Sequence, residues 1–189
     1  NMFAVEVLGY LMEIFSLPEI KDSDVVVKAK ELQEQVQQGL EENGIIEHPK
    51  FGKIIAFEVN GYGSFHMMDD ANVPSLLSLP YLGAIQPDSP LYLATRKVVL
   101  SENNPFFYQG KAGEGVGGPH TGADTIWPMS IILRAITSVD EKEIRLCISH
   151  KNDPKNFTRS WFAWANTLFG ELIVHTSIKY PQILRDKNL

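Results

Sequence analysis

Apolar residues recur at helical spacing from the start of the chain, at Phe3, Val7, Leu8, Leu11, Ile14 and Phe15, and predict a helix over 2–16 that ends before Pro18. A second helix is predicted over about 24–42, with Asp22 or Ser23 as cap and Gly44 as stop. Glu31, Gln33, Glu34, Gln35, Gln37, Gln38, Glu41 and Glu42 make it polar on most faces, whereas Phe3, Val5, Val7, Leu8 and Leu11 predict a more thoroughly buried first helix. An outer polar helix beside an inner apolar one suits a layered helical barrel, and a helical bundle equally. Residues 53–59 and 64–67 flank Asn60-Gly61-Tyr62-Gly63 and read as a short hairpin. Asn72 is placed as the cap of a short helix with Pro74 in its first turn, buried through Leu76, Leu77 and Leu79. Further helices are predicted over 90–101, over 127–137 after a Gly-rich loop at 110–124, and over 143–149, with capping-box spacing from Ser138 to Glu141. There is no tandem repeat and no low-complexity linker, so one domain is expected.

The last predicted helix holds the most unusual pattern. From Ser160 to Glu171 the chain reads SWFAWANTLFGE, with no charge before Glu171. At about 100° per residue, Glu171 shares a stripe with Trp164, Ser160 and His175. A carboxylate, an indole, a hydroxyl and an imidazole on one face suit a pocket in which Trp164 stacks a sugar ring and the carboxylate stands near the reacting carbon. The same pattern also fits a core helix in which Trp161, Phe162, Trp164 and Phe169 are buried and Glu171 reaches solvent at the rim.

Composition narrows the partners. The 189 residues are 44% hydrophobic with a formal net charge of −6. That balance, with no basic run, argues against nucleic acid and anionic membrane as partners and favours a neutral or small substrate. No apolar run has the length of a membrane span. The single cysteine, Cys147, has no partner in the sequence and reads as a buried structural thiol.

Three other constellations bear on chemistry. Asp69 and Asp70 are adjacent carboxylates followed by Asn72; they suit either a capped turn or a ligand, or both. Residues 113–118 match GxGxxG, yet no helix is predicted to open at its third glycine, and Glu114 would oppose a phosphate. A dinucleotide site is rejected in favour of a rim loop that carries His120. His66, His120 and His175 lack paired-ligand spacing, so no metal and no cofactor are expected. There is no GxSxG elbow. Carboxylates, Trp and Asn together are the usual equipment of carbohydrate hydrolysis.

Four long motifs carry a family resemblance: NMFAV at 1–5, MDDANVPSLLSLPYLG at 68–83, PHTG at 119–122 with IWPMSIILRAITS at 126–138, and DPKNFTRSWFAWANTLFGELI at 153–173. They resemble glycoside hydrolase family 125, the exo-α-1,6-mannosidases, over almost the whole chain, with the eukaryotic members nearest. The resemblance implies a mainly α fold, an (α/α)6 barrel of which 1–189 would be roughly the C-terminal half of the catalytic domain, with a short β-hairpin. It implies metal-independent removal of terminal non-reducing α-1,6-linked mannose with inversion, from a mannose-containing oligosaccharide or N-glycan. It assigns Glu171 as general base and Asp69, Asp70, Asn72, His120 and Trp127 as pocket residues, beside the stacking candidate Trp164.

Two departures accompany it. The family's general acid lies in a motif just before NMFAV, outside these 189 residues, and a Gly-rich His-Glu-Ser segment expected near Ser149–Asp153 is missing. The chain by itself is therefore expected to be inactive or nearly so, and a non-catalytic mannose-binding remnant or unstable fragment is the alternative. The compartment is undetermined; Asn156-Phe157-Thr158 is a glycosylation sequon, and the secretory pathway is favoured for a eukaryotic member.

Overall fold

The computed structural model describes residues 1–111, 113–149 and 162–186. They fall into two units, Asn1–Met67 with Leu79–Lys97, and Met68–Ser78 with Val98–Leu189. The described residues are mainly helical, with small antiparallel sheets.

In the first unit, α1 (Met2–Ile14) packs against α2 (Ser23–Gly39). The Asp22 carboxylate caps α2 by accepting the amides of Asp24 and Val25 at 3.0 and 3.1 Å. Five more residues, Leu40–Gly44, continue α2 as a wider π turn up to the predicted glycine stop. The expected burial of α1 is not observed: it has no buried residue, and Val7, Tyr10 and Ile14 are exposed. Its apolar residues occupy all sides of the helix, more than its packing against α2 covers. The polar α2 in turn is not wholly solvated, because Gln33 Nε2 donates to the Val5 carbonyl at 2.8 Å.

The predicted hairpin is present but shorter. β1 (Ile45–His48) pairs with β2 (Gly52–Ile55), so 53–55 belong to an earlier hairpin. The chain turns away at Ala56, whose amide donates to the Gly44 carbonyl. Only β3 (Glu58–Val59) and β4 (Phe65–His66) flank the Asn-Gly-Tyr-Gly turn, with Val59 opposite Phe65. Asn60 Oδ1 holds that turn by accepting the amides of Tyr62 and Ser64. Ile54 and Ile55 are buried, and Thr95 of α3 (Pro90–Val99) accepts the Ile55 amide at 2.9 Å.

The second unit opens with a correction. Residues 73–76 are a series of bends and 77–83 are turns rather than the predicted helix, so Asn72 caps no helix. Side-chain oxygens take amides of this stretch, including that of Leu77, which a helix would have bonded to residue 73: Asp69 accepts those of Ala71 and Leu77, and Ser78 accepts that of Ser75. The predicted Gly-rich loop also begins differently, with β5 (Phe107–Gly110) pairing antiparallel to β6 (Gly113–Val116).

α4 (Pro128–Ile136) then starts with Pro in its first turn, as the sequence requires. α5 (Glu141–Ser149) is capped by Asp140, whose Oδ1 accepts the Lys142 amide; Ser138 instead donates to Glu143. α6 (Ala163–Lys179) and α7 (Pro181–Leu184) follow. Ile132 and Ala135 of α4, Cys147 of α5 and Leu172 of α6 form a buried core with Ile131, Ile136, Ile148 and Leu168 against it. Cys147 is thus the buried thiol expected. Among the described residues no helix is long and apolar enough to cross a membrane.

Candidate functional site

All seven residues singled out from the sequence lie in the second unit. The first three sit on the tightly turned segment 68–78. Asp69 is wholly buried, and its two oxygens accept backbone amides from Ala71 at 2.6 Å and Leu77 at 2.8 Å. Burial pushes its carboxyl up to about 7; the amides of Leu77 and Ala71 pull the other way, and the charge of Asp70 adds to the rise. Asp69 therefore builds the turn. Asp70, half-buried, is the outward member of the pair: one oxygen accepts the Asn72 amide at 3.1 Å and the other the Asn72 Nδ2 at 2.9 Å. Each of those oxygens keeps a lone-pair direction and can accept a further hydrogen bond.

The backbone of Asp70 lies against the Gly-rich segment. A Cβ on Gly118 would stand 3.0 Å from Asp70 Cβ and 3.1 Å from its carbonyl oxygen. At Gly117 the added carbon would meet the Thr125 carbonyl at 2.0 Å, and at Gly115 it would meet Ile126 at 2.7 Å. The glycines serve close packing rather than phosphate binding, and part of their motif is strand β6. Glu114, which argued against a phosphate, accepts from Arg134 at 3.1 Å and from Gln109 at 2.8 Å. Beyond Gly118 the loop is tied by Thr121, whose hydroxyl accepts the Gly118 amide at 3.0 Å. His120 lies in that turn with its side chain exposed.

The loop returns to Trp127, whose amide donates to the Val116 carbonyl at 3.0 Å. Its indole stands edge-on to Phe162, with centroids 6.0 Å apart and planes at 88°, and Phe162 lies 5.7 Å from the ring of Trp164. The result is an aromatic row from the start of α4 to the first turn of α6. The indole nitrogen of Trp127 is enclosed and, among the described residues, has no hydrogen-bond partner. Trp164 is 68% exposed and Phe169 is also exposed, so this stretch of α6 is not the core that one reading of the sequence allowed. Ser160 and Trp161 lie outside the described residues.

Glu171 follows Trp164 by two helical turns, on the same stripe, and is exposed. One turn further on, partial burial lowers the pKa of His175; Lys179 adds to this and Glu171 opposes it. A neutral imidazole therefore flanks the carboxylate near pH 7.

Two features were not foreseen. Asn104 is buried between 68–78 and the start of β5, and it bonds Asp69 on both sides of its Cα. The Asn-Pro pair at 104–105 signals a turn, but nothing in it points to a partner 35 residues away. Arg134 joins three elements, reaching Glu114 of β6 and, at 2.7 Å, Glu143 of α5. Burial works against its charge, but the hydrogen bond and charge of Glu143, with the hydrogen bond to Glu114 among smaller contributions, together raise the arginine pKa further.

A family profile described as metal-independent alpha-mannosidase (GH125) matches residues 1–174. The chain is 48% identical over 168 residues to the meiotically up-regulated gene 157 protein of Schizosaccharomyces pombe, covering 80% of this chain and 33% of that protein. A solved structure of a metal-independent alpha mannosidase from Streptococcus pneumoniae, in a non-productive substrate complex with alpha-1,6-mannobiose, superposes with a TM-score of 0.87 at 40% identity. That likeness covers 95% of this chain and 46% of the bacterial one, so the chain spans a third to a half of the length of these relatives. With the profile spanning all seven site candidates, the chain belongs to the GH125 family of metal-independent alpha-mannosidases.

Proposed function

We propose that this chain supplies the general-base side of an inverting exo-α-1,6-mannosidase site, within roughly the C-terminal half of an (α/α)6-barrel catalytic domain. The supporting observation is the likeness, at 40% identity and a TM-score of 0.87, to an enzyme captured with alpha-1,6-mannobiose. The exposed stripe of Trp164 and Glu171 is in keeping with it.

In this reading Trp164 presents a flat apolar face to the mannose ring. Asp70 accepts two of its hydroxyls, while Asp69 and Asn72 keep the Asp70 carboxylate in place. His120 and Trp127 border the pocket. Glu171 takes a proton from water as the water oxygen bonds to C1; the C1–oxygen bond to the leaving sugar breaks on the opposite face. That oxygen takes its proton from a general acid outside these 189 residues, and the product is β-mannose. Inversion requires the two carboxyls to stand about 6.5–9.5 Å apart, with the water between. The natural substrate is a mannose-containing oligosaccharide or N-glycan with a terminal α-1,6 linkage.

The test is proton NMR of α-1,6-mannobiose with the full-length protein, in which β-mannose appears first. Glu171→Gln should lower turnover by about 10²–10⁴-fold or more while mannobiose still binds. Turnover unchanged in that variant refutes the assignment of the base. A second reading, which the exposed indole of Trp164 also fits, is a mannose-binding protein without hydrolysis. Calorimetric binding of mannobiose by full-length protein that never cleaves it is the signature of that reading.

A further inference from the structure

Asn104 uses its entire hydrogen-bonding capacity on main chain. Oδ1 accepts the amides of Asp69 at 3.0 Å and Phe106 at 3.2 Å. Nδ2 donates to the carbonyls of Asp69 at 2.9 Å and Val99 at 3.0 Å. Two donors and two acceptors are all that a primary amide offers at a single site of this kind, and no other side chain of similar size provides both. With its side chain buried, the amide is committed to these partners.

The consequence for Asp70 follows from the planarity of the peptide bond. The Asp69 carbonyl lies in one rigid plane with the Asp70 nitrogen and Cα, so the bond from Asn104 Nδ2 orients the plane from which Asp70 projects. The next plane contains the Asp70 carbonyl and the Ala71 amide, and the Asp69 carboxylate holds that amide at 2.6 Å. Ala71 itself sits at φ +56°, a left-handed conformation that a residue with a Cβ adopts only when its surroundings impose it. Both peptide planes around Asp70 are therefore fixed from outside, one by Asn104 and one by Asp69. What remains to Asp70 is side-chain rotation, and its bonds to Asn72 limit that too.

We propose that Asn104 is a positioning residue of the mannose site, which sets the direction of the Asp70 carboxylate through the Asp69–Asp70 peptide plane. This rests on the reading of Asp70 as a residue that receives sugar hydroxyls. Asn104 touches no substrate, and its contribution is preorganisation: without it the carboxylate samples orientations from which it cannot accept two hydroxyls together. The signature is a loss in substrate binding greater than the loss of stability explains.

The experiment compares Asn104→Ala, Asn104→Asp, Asp70→Asn and Ile144→Ala in the full-length protein, reading kcat and KM for α-1,6-mannobiose beside melting temperature. Asn104→Asp keeps both accepted bonds and loses both donated ones, so it stands in if the alanine variant does not fold. Ile144 is buried in α5, outside the 68–78 segment, and controls for instability alone. Asn104→Ala and Asn104→Asp should raise KM by about 10-fold or more with kcat changed by less than about 3-fold, matching Asp70→Asn, while Ile144→Ala leaves KM in place. If Asp70→Asn raises KM and neither Asn104 variant does, the positioning role is wrong and the functional reading survives. If Asp70→Asn leaves KM unchanged, the role of Asp70 fails and the inference fails with it.

Discussion

Gly117→Ala tests the packing at the centre of the site. The added carbon would lie 2.0 Å from the Thr125 carbonyl oxygen, where ordinary contact begins near 3.4 Å, and 2.9 Å from Cε2 of Tyr108. Relief requires a backbone displacement of more than about 1 Å, well beyond the small adjustments of a packed interior. The backbone is held on both sides of the clash: the Gly117 amide donates to Phe106 at 2.8 Å, and the Trp127 amide donates to Val116 at 3.0 Å. Overpacking costs about 1–3 kcal/mol, and losing one such bond adds about 1 kcal/mol. A total of about 2–4 kcal/mol should lower the melting temperature by roughly 5–15 °C in a chain of this size. Circular dichroism melting of the 189-residue chain measures it, with Gly170→Ala on α6 as the control. Among the described residues, nothing beyond the neighbouring backbone of the helix lies within 4 Å of a Cβ there, and the helix should gain about 0.5–1 kcal/mol. If Gly117→Ala melts within 2 °C or so of wild type, the close approach of the loop to Thr125 is wrong.

Asp69 makes stability depend on pH. Its carboxyl is held near 7 in the folded chain against 3.8 as the ordinary value, so the folded state keeps a proton that the unfolded state has lost. The contribution is complete below about pH 4 and disappears as pH rises through 7. It amounts to about 4 kcal/mol, at about 1.4 kcal/mol per unit. Urea midpoints should fall between pH 4 and 8 more steeply in wild type than in Asp69→Asn; parallel profiles would refute the assignment. Arg134→Lys should cost about 2–4 kcal/mol, because one ammonium cannot replace a guanidinium that bridges Glu114 and Glu143. A lysine variant with the wild-type urea midpoint would show that the bridge carries no weight.

The elements that periodicity predicts well are those whose stability is local. α1, α2, α3 and α4 appear close to the expected residues, since each has an apolar repeat and a start or stop signal within a few positions. The failures share a cause. The helix expected at 72 is replaced by bends and turns in which the Asp69 carboxylate captures the Leu77 amide, and Asp69 is itself held by an amide side chain 35 residues away. The strand expected over 53–59 divides because its first half pairs with 45–48, a choice between partners that alternation alone leaves open.

By itself, the sequence determined the helical class, the family, and the gathering of its candidates on three motifs, because long motifs and apolar repeats are written in neighbouring residues. Only the tertiary structure decided which carboxylate of the Asp69-Asp70 pair turns inward and which faces out. It also decided that the glycines serve contact rather than phosphate, and that Trp164 and Phe169 of α6 are exposed rather than buried. Each of those outcomes depends on which distant groups desolvate or hydrogen-bond a residue, and that is information a local pattern does not contain.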